Sequence, residues 1–190
     1  DYVLVGDNQI LDMVSEEFTF YVEVKFLDTA EQGYILSKRY YSAGSGYEIR
    51  VVNNLLYAEV NPGGGAIALT TPVESDNFFH TILVTFKNNQ FFRLYLDGEL
   101  VDDFGVGATI GTNVDSFSIP SLINDKPLVF GEFSSTDGRV LNGYINNVAI
   151  LKSSLTNLEA YNILNEESLF DFSNDLIGHW KFNQGIDGYY

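Results

Sequence analysis

Apolar and polar residues alternate along most of this chain. In Phe18-Thr-Phe20-Tyr-Val22-Glu-Val24-Lys-Phe26 every even position is apolar and the odd ones are mostly polar, the pattern of a strand with one face in a core. Thr81–Phe86 alternates more loosely, meets the polar turn Lys87–Gln90, and resumes as Phe91–Leu96. Asp97-Gly98, a pair that tolerates the positive φ of a tight hairpin, then returns the chain through Glu99–Val101. Further strands are predicted at Tyr34–Lys38, Tyr47–Val52, Leu55–Val60, Phe117–Ile119, Leu128–Phe130, Leu141–Leu151 and Ile177–Phe182. Glycine- and asparagine-rich stretches such as 61–65 and 105–111 separate them. One helix is expected near 156–164, where Thr156 and Glu159 form a capping box ahead of Leu158, Tyr161, Ile163 and Leu164.

Within Gly143–Ile150 the alternation breaks. Ile145 and Val148 both read as core residues but stand three apart. One extra residue at Asn146-Asn147, a β-bulge, restores both to the inside. Many short strands with one small helix and no internal linker predict a single all-β domain, a β-sandwich or jelly roll.

Ordered stretches support a narrower reading. They are Phe18–Val24, Gly33–Lys38, His80–Phe86, Leu94–Val101, Pro127–Gly131, Gly143–Ile150 and the short helix opening at Leu155–Glu159. The set resembles the laminin-G-like jelly rolls of the concanavalin A-like lectin/glucanase superfamily, over roughly positions 1–165. The resemblance implies a two-sheet antiparallel jelly-roll β-sandwich, with ligands taken by the loops of one rim or by a concave face. Because one fold hosts many functions, the residues must decide among them.

Charge narrows the partners. Against 26 Asp and Glu stand 10 Lys and Arg, a formal charge of −16, which repels phosphate backbones and anionic lipid and argues against nucleic acid. No apolar run is long enough for membrane insertion. Cysteine is absent, which excludes disulfides, thiol catalysis and zinc–thiolate sites.

Enzymes of the resembling superfamily carry Glu-x-Asp-x-Glu on one strand, placing two carboxylates on one face for glycoside hydrolysis. No such triplet occurs here. The nearest acidic cluster, Asp97, Glu99, Asp102 and Asp103, straddles a turn. His80 and His179, the two histidines, both sit in strands and read as structural. The chain is therefore expected not to be an enzyme.

For metal, no cofactor is required, and structural calcium is the candidate. The resemblance places an acidic ligand where this chain has Asn146, an amide that ligates without charge. Asp137 in Ser134–Gly138 is the candidate partner, with an Asx turn as the alternative. For ligands, the loop 38–47 offers Arg39, Tyr40, Tyr41 and Tyr47; tyrosine joins an apolar body to a polar tip and suits a sugar ring. The alternative is that these tyrosines only cap the sandwich.

The segment 176–190 looks displaced, since Gly178-His-Trp180-Lys-Phe182 resembles what usually opens such a domain. Over a single domain of 1–190 it either opens a following repeat or completes this or a neighbouring sheet. The expected function is a non-catalytic binding or adhesion module of a larger extracellular, cell-surface or virion-surface protein. Its partners are a glycan or a surface protein, and neighbouring copies or domains of the same assembly. The alternative is a purely structural domain of a fibre, filament or virus particle.

Overall fold

A computed structural model describes residues 2–13, 17–39, 44–63, 65–119, 122–133, 138–165 and 174–182. Two sheets face each other. One runs in the order β1 (Val3–Val5), β11 (Leu128–Phe130), β3 (Gly33–Arg39), β4 (Gly46–Val52), β5 (Leu55–Asn61) and β6 (Ile67–Pro72). The other runs β10 (Thr112–Asn113), β9 (Glu99–Gly105), β8 (Phe91–Leu96), β7 (Phe79–Lys87), β2 (Glu17–Phe26), β12 (Gly143–Leu151) and β13 (Leu176–Lys181). Neighbours are antiparallel except β10 and β9. This is the jelly-roll sandwich that the alternation predicts.

The core lies between the sheets. Phe18, Phe20, Val22, Val24 and Phe26 point inward from β2 and meet Ile49, Val51, Leu56, Ala58 and Val60 of the facing sheet. Phe18 stacks on Phe86 at 4.8 Å between ring centroids. Each fully buried ring of this kind contributes about 1.5–3 kcal/mol through the water it no longer orders. The turns are those the residues demand: Asp97 and Gly98 have φ of 50° and 90°, and Asn53 and Asn54 have φ of 53° and 61°, values that suit a two-residue hairpin.

The bulge is present. Pairing of β12 with β2 passes from Ile145–Val24 to Asn147–Glu23, leaving Asn146 as the extra residue. Val148 is thereby fully buried and Ile145 packs against the core. Helix α1 (Asn157–Asn165) carries the capping box, with Thr156 N donating to Glu159 Oε2 at 2.8 Å and Glu159 N to Thr156 Oγ1 at 3.3 Å. It packs on the outside of the seven-stranded sheet through Ala160 and Ile163, against Leu83, Tyr95 and Ala149. Leu158 and Tyr161, which helical spacing would turn toward the sheet, are exposed.

One predicted strand is absent. Phe117–Ile119 forms no strand; Phe117 packs edge-on against Phe86 and Phe104, and Ile119 N donates to Asn88 Oδ1 at 2.9 Å. These residues fill the core from an irregular segment whose backbone is satisfied by a side chain. Conversely, β1, β6 and β10 form where the alternation predicts no strand. Residues 176–181 pair with β12 of their own chain, Trp180 opposite Val148 and His179 opposite Ala149. The Trp180 ring reaches across to Phe130 of the other sheet at 5.1 Å.

Candidate functional site

Alternation in β3, β4 and β5 puts one set of side chains in the core and the other on the outer face of the six-stranded sheet. The outward set is charged. Asn53 and Asn54 make a two-residue turn, so Val52 faces Leu55, and by the same register Glu48 faces Glu59 and Arg50 faces Tyr57. Two carboxylates directly opposed across a ladder repel, and two arginines resolve this. Arg50 Nε donates to Glu48 Oε1 at 2.7 Å and its Nη2 to Glu59 Oε2 at 3.2 Å. Arg39 Nη1 lies 3.2 Å from Glu48 Oε2 and also donates to Glu59 Oε1. Each carboxylate thus bridges both guanidiniums, a closed, formally neutral network.

Tyr34 faces Arg50 on the neighbouring strand. Val140 bridges to Tyr34, and Leu141 N donates to Gly131 O at 2.8 Å. These bonds bring Arg139 alongside Tyr34 although about a hundred residues separate them. The Arg139 guanidinium sits over the rings of Phe133 and Tyr34, 4.7 and 5.3 Å from their centroids, and donates to Tyr34 Oη at 3.1 Å. Gln32 Nε2 donates to the same oxygen at 2.8 Å. Together these groups line an open depression of about 340 Å³.

The electrostatics follow from partial burial. Loss of water pushes the Glu48 carboxyl up, Arg39 opposes this, and the charge of Glu59 adds to it. Burial likewise works against the charge on Arg50, but Glu48 and Glu59 outweigh it and hold its pKa above the ordinary value. Burial, with Glu48 nearby, pushes the Tyr34 phenol up to about 12, so it stays a neutral hydroxyl at physiological pH. The depression is therefore a patch of paired guanidinium and carboxylate groups, with Tyr34 and Phe133 buried as its floor beneath Arg139.

The sequence-derived candidates fall out as follows. Arg39 lines the depression. Tyr47 does not: it is 1 % exposed, its ring packs on Phe20 at 4.8 Å and its hydroxyl donates to Leu11 O at 2.9 Å. It shares its face with Ile49 and Val51, which makes it a core residue and not a ligand contact. Tyr40, Tyr41 and Asp137 lie outside the described residues. Asn146 sits at the bulge with its amide donating to Glu23 Oε2 at 2.7 Å. Among the described residues no cluster of three or more His, Asp or Glu is placed to hold a metal.

The acidic turn cluster is engaged in structure. Asp103 accepts from the backbone N–H of Thr109, Ile110 and Gly111 at 2.7–2.9 Å, and Asp102 Oδ2 from Thr70 N at 2.7 Å. His80 stacks on Phe26 between Asp97 (2.7 Å) and Asp76 (3.1 Å), and His179 Nε2 pairs with Asn147 Oδ1 at 2.7 Å. Of the depression's lining, Tyr34, Glu48, Arg50, Glu59 and Arg139 escaped the reading of the sequence. The first signal for them was available: a two-residue turn at Asn53-Asn54 sets Glu48 against Glu59.

A search of curated proteins finds no match. Among solved structures the chain is similar to that of a study of botulinum neurotoxin type C and its dependence on two ganglioside molecules for cell entry (19 % identity, TM-score 0.61, 86 % of this chain and 39 % of that one). It is similar also to the binding domain of botulinum neurotoxin DC in complex with rat synaptotagmin II (18 %, TM-score 0.62, 86 % and 39 %). A third is the receptor-binding domain of a mosaic serotype C/D neurotoxin with tetraethylene glycol bound (16 %, TM-score 0.64, 88 % and 40 %). The chain spans about 40 % of the length of these structures, and at such identity the likeness is one of fold. The family model Laminin_G_3 matches residues 1–160, the stretch that holds both sheets except β13. With its jelly-roll topology and this match over most of its length, the chain belongs to the concanavalin A-like lectin/glucanases superfamily.

Proposed function

We propose that this chain is a non-catalytic binding module whose ligand, a glycan or a protein surface, docks on the outer face of the six-stranded sheet. The observation that carries the reading is the depression itself. Three of the chain's four arginines gather there with two aromatic rings, in a protein of charge −16. Concave sites hold small ligands against a few fixed polar groups, and here guanidiniums and carboxylates supply those groups over the buried rings of Tyr34 and Phe133. The solved neurotoxin structures that share the fold are described with ganglioside and synaptotagmin, which supports a glycan or protein partner and a place outside the cell or on a surface. Among the described residues no helix is long and apolar enough to cross a membrane.

Glu48 and Glu59 oppose each other as hydrolytic carboxylates do, yet each is ion-paired to two arginines and under a tenth exposed. A nucleophile and a general acid must both reach the sugar, so no hydrolysis is expected. The test is a glycan array with Tyr34→Phe and Arg39→Lys, which keep the packing of a phenol that is 3 % exposed and the charge that faces Glu48 and Glu59. Weakened binding in both, with the fold retained by circular dichroism, supports the site; binding unchanged in both removes it. Tyr40 and Tyr41 are proposed as further contacts, and structural calcium on Asn146, which belongs to β12 of the other sheet, and Asp137 is a separate proposal in which no cofactor is required for binding. A second reading, a structural domain assembled with its neighbours, is favoured by β1, where Val3 and Leu4 are exposed beside an edge that pairs with no further strand among the described residues. Concentration-dependent assembly in sedimentation, without any sugar, would favour it.

A further inference from the structure

Across β7, β2 and β12 the outer face of the seven-stranded sheet carries a row of three side chains remote from the depression. Phe79 pairs directly with Lys25 on one side, and Tyr144 pairs with Lys25 on the other. Directly opposed residues of antiparallel strands share a face, and the odd positions of β2 point away from the core. The Lys25 ammonium lies between the two rings, 5.6 Å from the Phe79 centroid and 4.9 Å from that of Tyr144. Both rings are about half exposed, at 47 and 55 %. Helix α1 covers this face around Leu83, Tyr95 and Ala149 and leaves the row open.

We propose that this row docks an acidic, proline-rich segment of a partner chain in the polyproline II conformation, a second binding surface independent of the depression on the other sheet. The rings rise from strands two apart in the sheet, a separation of about 9.4–9.8 Å. A polyproline II helix repeats after three residues of about 3.1 Å each, or about 9.3 Å. Prolines at i and i+3 therefore meet one ring each. Proline has no N–H, so it lies on a ring face without leaving a donor unpaired, and its conformation is set before it binds. Charge selects among such segments. Both contacts of Lys25 are with rings, and among the described residues it forms no ion pair. The polar groups beside the row are bonded to one another: Asn146 donates to Glu23 Oε2, and His179 Nε2 pairs with Asn147 Oδ1, each at 2.7 Å. The row thus offers two apolar ring faces and one cation, which suit prolines accompanied by a carboxylate. A sugar, whose buried hydroxyls each need a polar partner, finds few here.

The experiment is NMR titration of the whole chain with peptides of repeated Pro-Pro-Glu, Pro-Pro-Gln and Gly-Gly-Glu, all of equal length, and with a neutral glucan hexasaccharide. The Pro-Pro-Glu peptide should shift the Lys25, Phe79 and Tyr144 signals with a dissociation constant below about 1 mM. The Pro-Pro-Gln peptide should bind about threefold more weakly, the effect of one exposed ion pair, and the other two probes should leave these signals unmoved. Phe79→Ala and Tyr144→Ala should each weaken the Pro-Pro-Glu peptide about tenfold, with the fold retained by circular dichroism. Lys25→Met should erase the preference for Pro-Pro-Glu over Pro-Pro-Gln. If the two proline peptides bind the wild type equally, the acidic preference is overturned. If Gly-Gly-Glu binds as tightly as Pro-Pro-Glu, the row reads charge alone and the polyproline assignment is overturned. If the glucan shifts these signals and the proline peptides do not, the peptide class is overturned. If the double variant Phe79→Ala/Tyr144→Ala binds Pro-Pro-Glu as well as the wild type, the placement on this row is overturned. If no probe binds, the inference is overturned, and the reading of the six-stranded sheet is untouched.

Discussion

Lys38 is a lysine with no exposed surface, and removing its charge should cost more than removing most of the core methyl groups. It follows Ser37 and precedes Arg39 on β3, so its side chain points to the opposite face from the depression. Its Nζ donates to Asp12 Oδ1 at 2.7 Å, Asp7 Oδ1 at 2.9 Å and Asn124 O at 3.1 Å. Asp12 is itself only 4 % exposed, whereas the Asp7 side chain is 45 % exposed. Lys38→Met retains the stem and its packing but strands the Asp12 carboxylate in the interior without its counter-ion. Breaking a buried pair from one side costs about 3–5 kcal/mol; the Asp7 contact, screened by water, contributes about 0–1 kcal/mol. The assay is urea denaturation of wild type, Lys38→Met, Asp7→Asn and the double variant Lys38→Met/Asp12→Leu. With a slope of about 3 kcal/mol per molar, the single Lys38 change should lower the midpoint by about 1–1.7 M at unchanged slope. Asp7→Asn should move it little, and the double variant should recover most of the loss, since an apolar pair can replace a buried ionic one. If Lys38→Met loses less than about 1 kcal/mol, the buried-pair reasoning is refuted.

Four further outcomes are expected. Burial works against the charge on His80, but Asp97 and Asp76 raise its pKa above 6.5. Its stabilising contribution is therefore complete at and below that pH and declines as pH rises through the folded-state value. The gap in stability between wild type and His80→Gln should narrow as pH rises above 6.5, and a gap that widens with pH would contradict the assignment. Gly46 has φ of +144° and a Cβ there would stand 2.1 Å from Lys38 O. Gly46→Ala should therefore lose at least about 1–3 kcal/mol by urea titration, whereas Gly107→Ala, with open space around it, should lose less. Trp180→Ala removes the ring that spans β13 and Phe130 and should cost about 3 kcal/mol; an unmoved denaturation midpoint would show that β13 adds no stability. For calcium on Asp137 and Asn146, whose amide donates through Nδ2 to Glu23 and leaves Oδ1 for the ion, chelator should lower the melting temperature and added calcium restore it, and a melting temperature unmoved by chelator removes the proposal.

Much of the fold was legible because a half-buried strand must alternate. The inward residues of β2, the Asp97-Gly98 turn, the capping box at Thr156 and the bulge at Asn146 all follow from local pattern. Phe117–Ile119 misled because apolar residues can enter a core from an irregular segment, which period alone does not distinguish from a strand. Tyr47 misled in the opposite direction. Its aromatic, polar-tipped chemistry suits a ligand contact, but parity with Ile49 and Val51 puts it inside. At the depression, Arg39 was singled out by its neighbours in the chain, while Glu48 and Glu59 needed the hairpin register to be worked through. Arg50 opposes Tyr34 only because β3 and β4 shift register between Tyr34 and Leu36, an irregularity without a signature in the residues.

The sequence by itself determined that the chain is an all-β sandwich, where its hairpins turn, and that it has neither thiol nor hydrolytic-triplet chemistry. Those properties depend on residue type and on neighbours a few positions apart. The tertiary structure alone decided which charges meet. Arg139 reaches Tyr34 through a bridge between segments about a hundred residues apart, and four charged side chains of β3, β4 and β5 close into one network because three strands align. Charge interactions fall off with distance and strengthen as water is removed. Their effect is set by separation in space and burial, two quantities that residue order does not contain.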